Sequence, residues 1–96
     1  MEFEFDSTKD QANRFKHGLR LSFGKRVFED PDHIVLASHR PIDGEDRFKA
    51  LGMVDGRLHS AVFVWREEKV RLISVRRSNA SEQRDYDRHT GGPQRP

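Results

Sequence analysis

The 96-residue sequence predicts an α+β domain in which helices precede and follow a β-meander. Three observations predict it. Apolar residues recur at helical spacing to about residue 30, the period changes to two from His33, and a capped helical segment returns after Asn79. Glu2 to Phe5 alternates polar and apolar residues and reads as a short strand with Phe3 and Phe5 facing inward. Ser7 and Asp10 make a capping box, Ala12, Phe15 and Leu19 give the first helix its apolar spacing, and Gly18 supplies the left-handed residue that stops it. Ser22 caps a second, shorter helix carrying Val27 and Phe28, which Gly24 weakens and Pro31 ends.

Four strands follow. His33 to Ala37 is one, Glu45 to Val54 the next, Asp55-Gly56 a strong hairpin turn, Arg57 to Trp65 the third, and Lys69 to Arg76 the fourth after a tight turn. In the strand from Glu45, Phe48 and Ala50 face one side while Glu45, Arg47 and Lys49 face the other, so a charged face lies opposite the core. In the last strand, strict alternation places Ser74 and Arg76 with Leu72 and sends Arg71 and Arg77 to the other side. Asn79 then caps a helix with Glu82 as its box partner, and Tyr86 falls one turn beyond Glu82. Arg, Glu and Tyr thus meet at one edge of the sheet, the groups that hold a phosphate and move protons around it. The segment from His89, with Gly91-Gly92-Pro93 and Pro96, reads as a disordered tail, leaving residues 1–88 as a single domain.

Composition narrows the function classes. A chain that is 33% hydrophobic with nine aromatic residues has a thin core, and its exposed strand edges favour burial by another chain. The net charge is only +2, but residues 1–65 carry ten Lys or Arg against eleven Asp or Glu, whereas residues 66–96 carry eight against five. Basic character therefore gathers in the C-terminal third, which suits a polyanion. There is no Cys, hence no disulfide, thiol nucleophile or thiolate zinc site. Neither a secretion signal nor an apolar run of membrane-spanning length is present, so a cytoplasmic protein with no membrane partner is expected. His33, His39, His59 and His89 lack metal-ligand spacing, and no metal or other cofactor is expected.

Glu2-Phe3-Glu4-Phe5-Asp6, the helix ending Asn13-Arg14-Phe15-Lys16-His17-Gly18, the strand Gly44-Glu45-Asp46-Arg47-Phe48 and the strand Arg71-Leu72-Ile73-Ser74-Val75-Arg76-Arg77, with Glu82 and Tyr86, form an ordered set. In that order, from residue 2 to about residue 88, the chain resembles the BrnT toxin family. The resemblance implies a RelE-like fold, a small antiparallel sheet in β-α-α-β-β-β-β-α order with helices packed on it. It also implies the toxin half of a type II toxin–antitoxin system, an endoribonuclease that halts translation. Its implied partner is a BrnA-like ribbon-helix-helix antitoxin in a toxin2–antitoxin2 complex, which represses its own promoter and touches operator DNA only through the antitoxin.

The chemistry of metal-independent RNA cleavage sets the residue types. A ribose 2′-hydroxyl loses a proton and attacks the adjacent phosphorus, a 5′-oxygen leaves and is protonated, and charge builds on the phosphoryl oxygens. Arg76 and Arg47 are the first candidates for clamping that phosphoryl group, because a guanidinium stays charged and binds phosphate through two parallel hydrogen bonds. Proton transfer falls to Glu82, His17 or Tyr86, and Lys16, Lys49, Arg71, Ser74 and Arg77 are candidates for further phosphate contacts.

Each assignment has a structural counterpart. Arg76, Arg77 and Glu82 also read as an ion-pair network at a strand-to-helix junction, and Glu82 is already engaged as a capping residue. Tyr86 reads as a helix-face packing residue, and His17 as an imidazole at the favourable end of a helix dipole. Phe3, Phe5, Phe15, Phe28, Phe48, Phe63 and Trp65 sit at core spacing, with Trp65 the one candidate for stacking on bases. The competing function is a non-catalytic RNA- or protein-binding module whose arginines only hold phosphate or a partner. A DNA-binding regulator acting alone is disfavoured by the lack of a recognition helix.

Overall fold

The computed structural model describes residues 1–38 and 46–91. Its elements are β1 (Glu2–Glu4), α1 (Ser7–His17), a 3-10 turn (Leu21–Phe23) running into α2 (Gly24–Glu29), β2 (Ile34–Ser38), β3 (Arg47–Val54), β4 (Arg57–Arg66), β5 (Lys69–Arg77) and α3 (Ala80–Thr90). The five strands form one sheet in the order β1-β5-β4-β3-β2. Strands β2 to β5 are an antiparallel meander, but β1 pairs parallel with β5, so the sheet is mixed rather than antiparallel. Both tight hairpins use left-handed residues, Asp55 and Gly56 in one and Glu67 and Glu68 in the other, which match the twist of the flanking strands. The helix expected to end before His89 runs through Thr90 to a left-handed Gly91. Glu45, His39 and residues 92–96 lie outside the described residues.

One face of the sheet is apolar. Ala50, Val54, Ala61, Phe63, Val70, Leu72 and Val75 meet Leu21 and Val27 there, with Phe3, Phe28 and Phe48 at the margin. Two glycines let the second helix approach this closely. A Cβ on Gly24 would stand 2.9 Å from Leu72 Cδ2, and one on Gly52 would stand 2.2 Å from the Val27 carbonyl oxygen. Gly24 therefore belongs to the packing, whereas propensity alone reads it as a weakness. Ser22 does not cap this helix, which has no side-chain cap.

The first helix departs further from its amphipathic reading. Its cap is Asp6, which accepts from Thr8 N–H, while Asp10 accepts from the Leu21 N–H at 2.6 Å instead of closing a box with Ser7. Ala12 is exposed and Phe15 is 95% exposed, so neither reaches the core. The helix docks instead through Asn13, 5% exposed, whose amide donates to the carbonyls of Val75 and Leu19 and accepts from Val75 N–H. Strand β1 stops at Glu4, opposite Arg71, so Asn13 completes the ladder edge that β5 would otherwise leave unpaired beyond it.

The last strand carries a β-bulge. Val62 pairs with Ser74 and Phe63 with Leu72, so Ile73 has no partner across the ladder. Val70 and Leu72 before it and Val75 after it all reach the apolar core. Ser74 and Arg76 consequently lie opposite to Leu72, the reverse of what strict alternation predicts, because the extra residue switches the face. They join Lys49, Leu51, Val62 and Ser60 on the second face, where α3 packs Tyr86 against Leu51 and Leu58.

Candidate active site

The second face carries a cleft of about 380 Å³ between the C-terminal end of α1 and strands β2 to β5. Lys16 and His17 line it from the helix, Ser38, Arg47 and Lys49 from β2 and β3, and Ser74 and Arg76 from β5, over a floor of Val62 and Ile73. Arg47 and Arg76 therefore share one cleft, as do the candidates Lys16, His17, Lys49 and Ser74. Among the described residues the lining holds four cations and no carboxylate.

Behind the cations lies Glu82, 2% exposed at the third position of α3. The capping box read from the sequence is present: Glu82 N–H donates to Asn79 Oδ1, and Asn79 N–H donates back to Glu82 Oε1. The same carboxylate accepts both ends of the Arg76 guanidinium, each at 2.8 Å, and lies 2.8 Å from Lys49 Nζ. Burial alone would raise its pKa, but the hydrogen bonds from Arg76, Lys49 and Asn79 outweigh that and hold it at about 2. An ionised, fully bonded carboxylate cannot shuttle protons near neutral pH. It fixes the cations in place.

Among the described residues the bonding of Arg76, which lines the cleft, leaves one edge of its guanidinium without a partner. One Nη1 hydrogen and one Nη2 hydrogen go to Glu82, and Nη1 also donates to the Arg77 carbonyl. The Nε–H and the second Nη2–H remain, a parallel pair of the kind that grips two oxygens of a phosphate.

Among the described residues His17 is the one imidazole in the lining. Burial lowers its pKa, and the positive charges of Lys16 and Arg76 lower it further, which favours the uncharged imidazole. A neutral imidazole beside a cationic anion site is equipped to accept a proton.

Four sequence candidates lie elsewhere. Tyr86 is buried in the second apolar cluster, where its hydroxyl donates to Asp30 Oδ2 at 2.5 Å. Burial and that carboxylate push the phenol well above its usual range, which suits a tie between α3 and the end of α2 and not an acid–base group. Asp30 also accepts from the N–H groups of Met53 and Asp32, and these bonds bring its pKa down although burial opposes them. Arg71 pairs with Glu4 at 3.0 Å across the parallel strands. Arg77, next to Arg76, alternates to the opposite face and is exposed. Trp65 shares the face of Phe63, against which it packs edge-on, so it is turned from the cleft. Among the described residues no three His, Asp or Glu side chains group as metal ligands.

Sequence reasoning missed Asn13 and Asp30. A polar residue at mid-helix, where Ala12 and Phe15 invited an apolar face, was the available signal for Asn13. Asp30 bonds a tyrosine 56 residues away, and nothing local announces it.

The model of the BrnT family, described as the ribonuclease toxin of type II toxin–antitoxin systems, matches residues 5–82. The chain belongs to the BrnT family. No curated protein matches it. The matched span contains every residue lining the cleft, extends to Glu82 and stops before Tyr86. BrnT membership makes this a ribonuclease toxin and implies a cognate antitoxin. Among the described residues no helix is long and apolar enough to cross a membrane.

Proposed function

We propose that this BrnT chain is a metal-independent endoribonuclease whose reaction centre is the cleft between α1 and the sheet. The observation that carries this reading is the Arg76 guanidinium, held by Glu82 and lining the same cleft as Arg47, Lys49 and His17. In this scheme the Nε–H and Nη2–H of Arg76 grip the non-bridging oxygens of the scissile phosphate, and Lys49 and Arg47 offset the charge that grows there. His17 takes the proton from the 2′-hydroxyl as its oxygen attacks phosphorus. The bond to the 5′-oxygen breaks, that oxygen takes a proton from solvent at the open side, and a 2′,3′-cyclic phosphate and a 5′-hydroxyl result. Glu82 and Tyr86 are positioning residues, the first for the cations and the second for α3.

The biological reading follows the family: a RelE-like toxin acting in the cytoplasm, which arrests translation by cutting RNA. A BrnA-like ribbon-helix-helix antitoxin neutralises it in a toxin2–antitoxin2 complex that contacts operator DNA through the antitoxin. An acidic or apolar antitoxin segment laid over Arg47 and Arg76 would exclude RNA by taking the same charges.

The test is incubation of purified protein with structureless RNA in EDTA, with His17→Ala beside the wild type. Cleavage that survives chelation, ends in cyclic phosphate and falls at least about 100-fold in the folded variant is the expected result. Binding without cutting by the wild type would replace the enzyme with the binding module.

A further inference from the structure

A second groove, of about 240 Å³, runs on from the cleft between α1 and β5. The two share Lys16, His17, Ile73 and Ser74, so they are continuous. Beyond the shared residues the groove adds Asn13 together with Lys9 and Ala12, which lie one above the other on the face of α1 that also carries Lys16. This helix spends no apolar side chain on docking, since Asn13 and Asp10 hold it by hydrogen bonds. The face beside Asn13 is thereby left to two lysines separated by one small residue. Among the described residues neither Lys9 nor Lys16 has an acidic partner.

The opposite wall is made by the bulge. With no partner across the ladder, Ile73 turns toward the groove beside Ser74 and offers an apolar surface next to a hydroxyl. That pairing suits a nucleoside, with the apolar side chain against the base and the hydroxyl near the sugar. Lys9 and Lys16 are seven residues apart on a helix, about 10 Å along its axis. That distance carries a single strand past the reacting linkage to another phosphate.

We propose that the groove between α1 and β5 holds the nucleotides flanking the scissile linkage on one side, with Lys9 binding a second phosphate. The inference rests on the catalytic reading of the neighbouring cleft. It makes Lys9 a substrate-positioning residue that sets how long a strand the enzyme prefers.

The experiment uses oligonucleotides with a single ribonucleotide at a linkage the wild type cuts, flanked by up to four deoxynucleotides on the 5′ or the 3′ side. For the wild type, KM should fall about tenfold as one side, and only one, is extended. Lys9→Ala should abolish that gain while leaving kcat, and KM on the shortest substrate, within about twofold; it should also lower the salt slope by about 0.7, the share of one phosphate contact on a single strand. Equal KM values for Lys9→Ala and wild type at every length would overturn the proposal, as would a loss already complete on the shortest substrate. If the wild type cuts nothing, the catalytic reading fails, and the groove is judged by binding of fluorescent deoxyoligonucleotides. An affinity gain with length that Lys9→Ala removes would uphold it, and no difference between the proteins would end it.

Discussion

The two faces of the sheet solve the same problem of holding helices in opposite ways. On the apolar face α2 lies so close that Gly24 and Gly52 have no room for a methyl group, and the contact is made by Leu21, Val27, Phe63, Leu72 and Val75. On the other face the start of α3 is held by Glu82 between Arg76 and Lys49, and apolar packing begins only one turn later at Tyr86. Buried apolar area is the stronger source of stability, while a buried ion pair returns little beyond its own desolvation cost. The charged face therefore adds little to stability beyond what hydrocarbon would give, and what it yields is rigidly presented cations. In a domain with so thin a core, that arrangement fits the reaction centre proposed for the cleft.

Breaking the apolar face should have the largest effect on folding. Phe63→Ala removes a side chain 1% exposed at the centre of that cluster and is expected to cost about 3–5 kcal/mol in urea unfolding, with cleavage per folded molecule unchanged. On the charged face, Glu82→Ala leaves Arg76 and Lys49 without their shared partner. It should cost about 2–3 kcal/mol, less than the core variant because both cations keep some contact with water, and should abolish cleavage in molecules that remain folded. A stability loss with normal cleavage would show that Glu82 positions nothing.

Acid sharpens the contrast. Glu82 is held at about 2 against an ordinary 4.5, so its contribution is complete above pH 4.5 and is lost as pH falls from there toward 2. The urea-midpoint difference between wild type and Glu82→Gln, which keeps the capping geometry, should shrink across that interval, and a constant difference would contradict the assignment. Cleavage should respond at higher pH, rising through a pKa below 6.5 as His17 loses its proton, and that limb should be missing in His17→Ala. The smallest effect is expected from Arg71→Ala. Its half-exposed pair with Glu4 is worth at most about 1 kcal/mol, and its position at the β1 pairing leaves cleavage unchanged.

Local chemistry was legible in the sequence, and long-range chemistry was not. Asn79 and Glu82 announce their capping box because three residues suffice to make it, and the alternation around Phe48 is enough to put Arg47 and Lys49 opposite the core. One extra residue at Ile73 reverses the faces beyond it, and no local pattern shows that bulge. The first helix misled through Phe15, since spacing predicts a buried stripe only if apolar contact does the docking, and here Asn13 does it. Tyr86 was placed near the phosphate by its distance from Glu82 along the helix, but its partner Asp30 comes from the end of α2. The parallel pairing of β1 with β5 joins the two ends of the fold and has no sequence period at all.

Arg76 and Arg77 offer the most direct test, being adjacent and alike in charge but on opposite faces of β5. Arg76→Lys keeps a cation for Glu82 while removing the guanidinium edge, so initial rates on structureless RNA in EDTA should fall at least about 100-fold with the fold intact by circular dichroism, whereas Arg77→Ala should stay within about threefold of wild type. Equal losses in both variants, or no loss in Arg76→Lys, would contradict a reaction centre on the charged face.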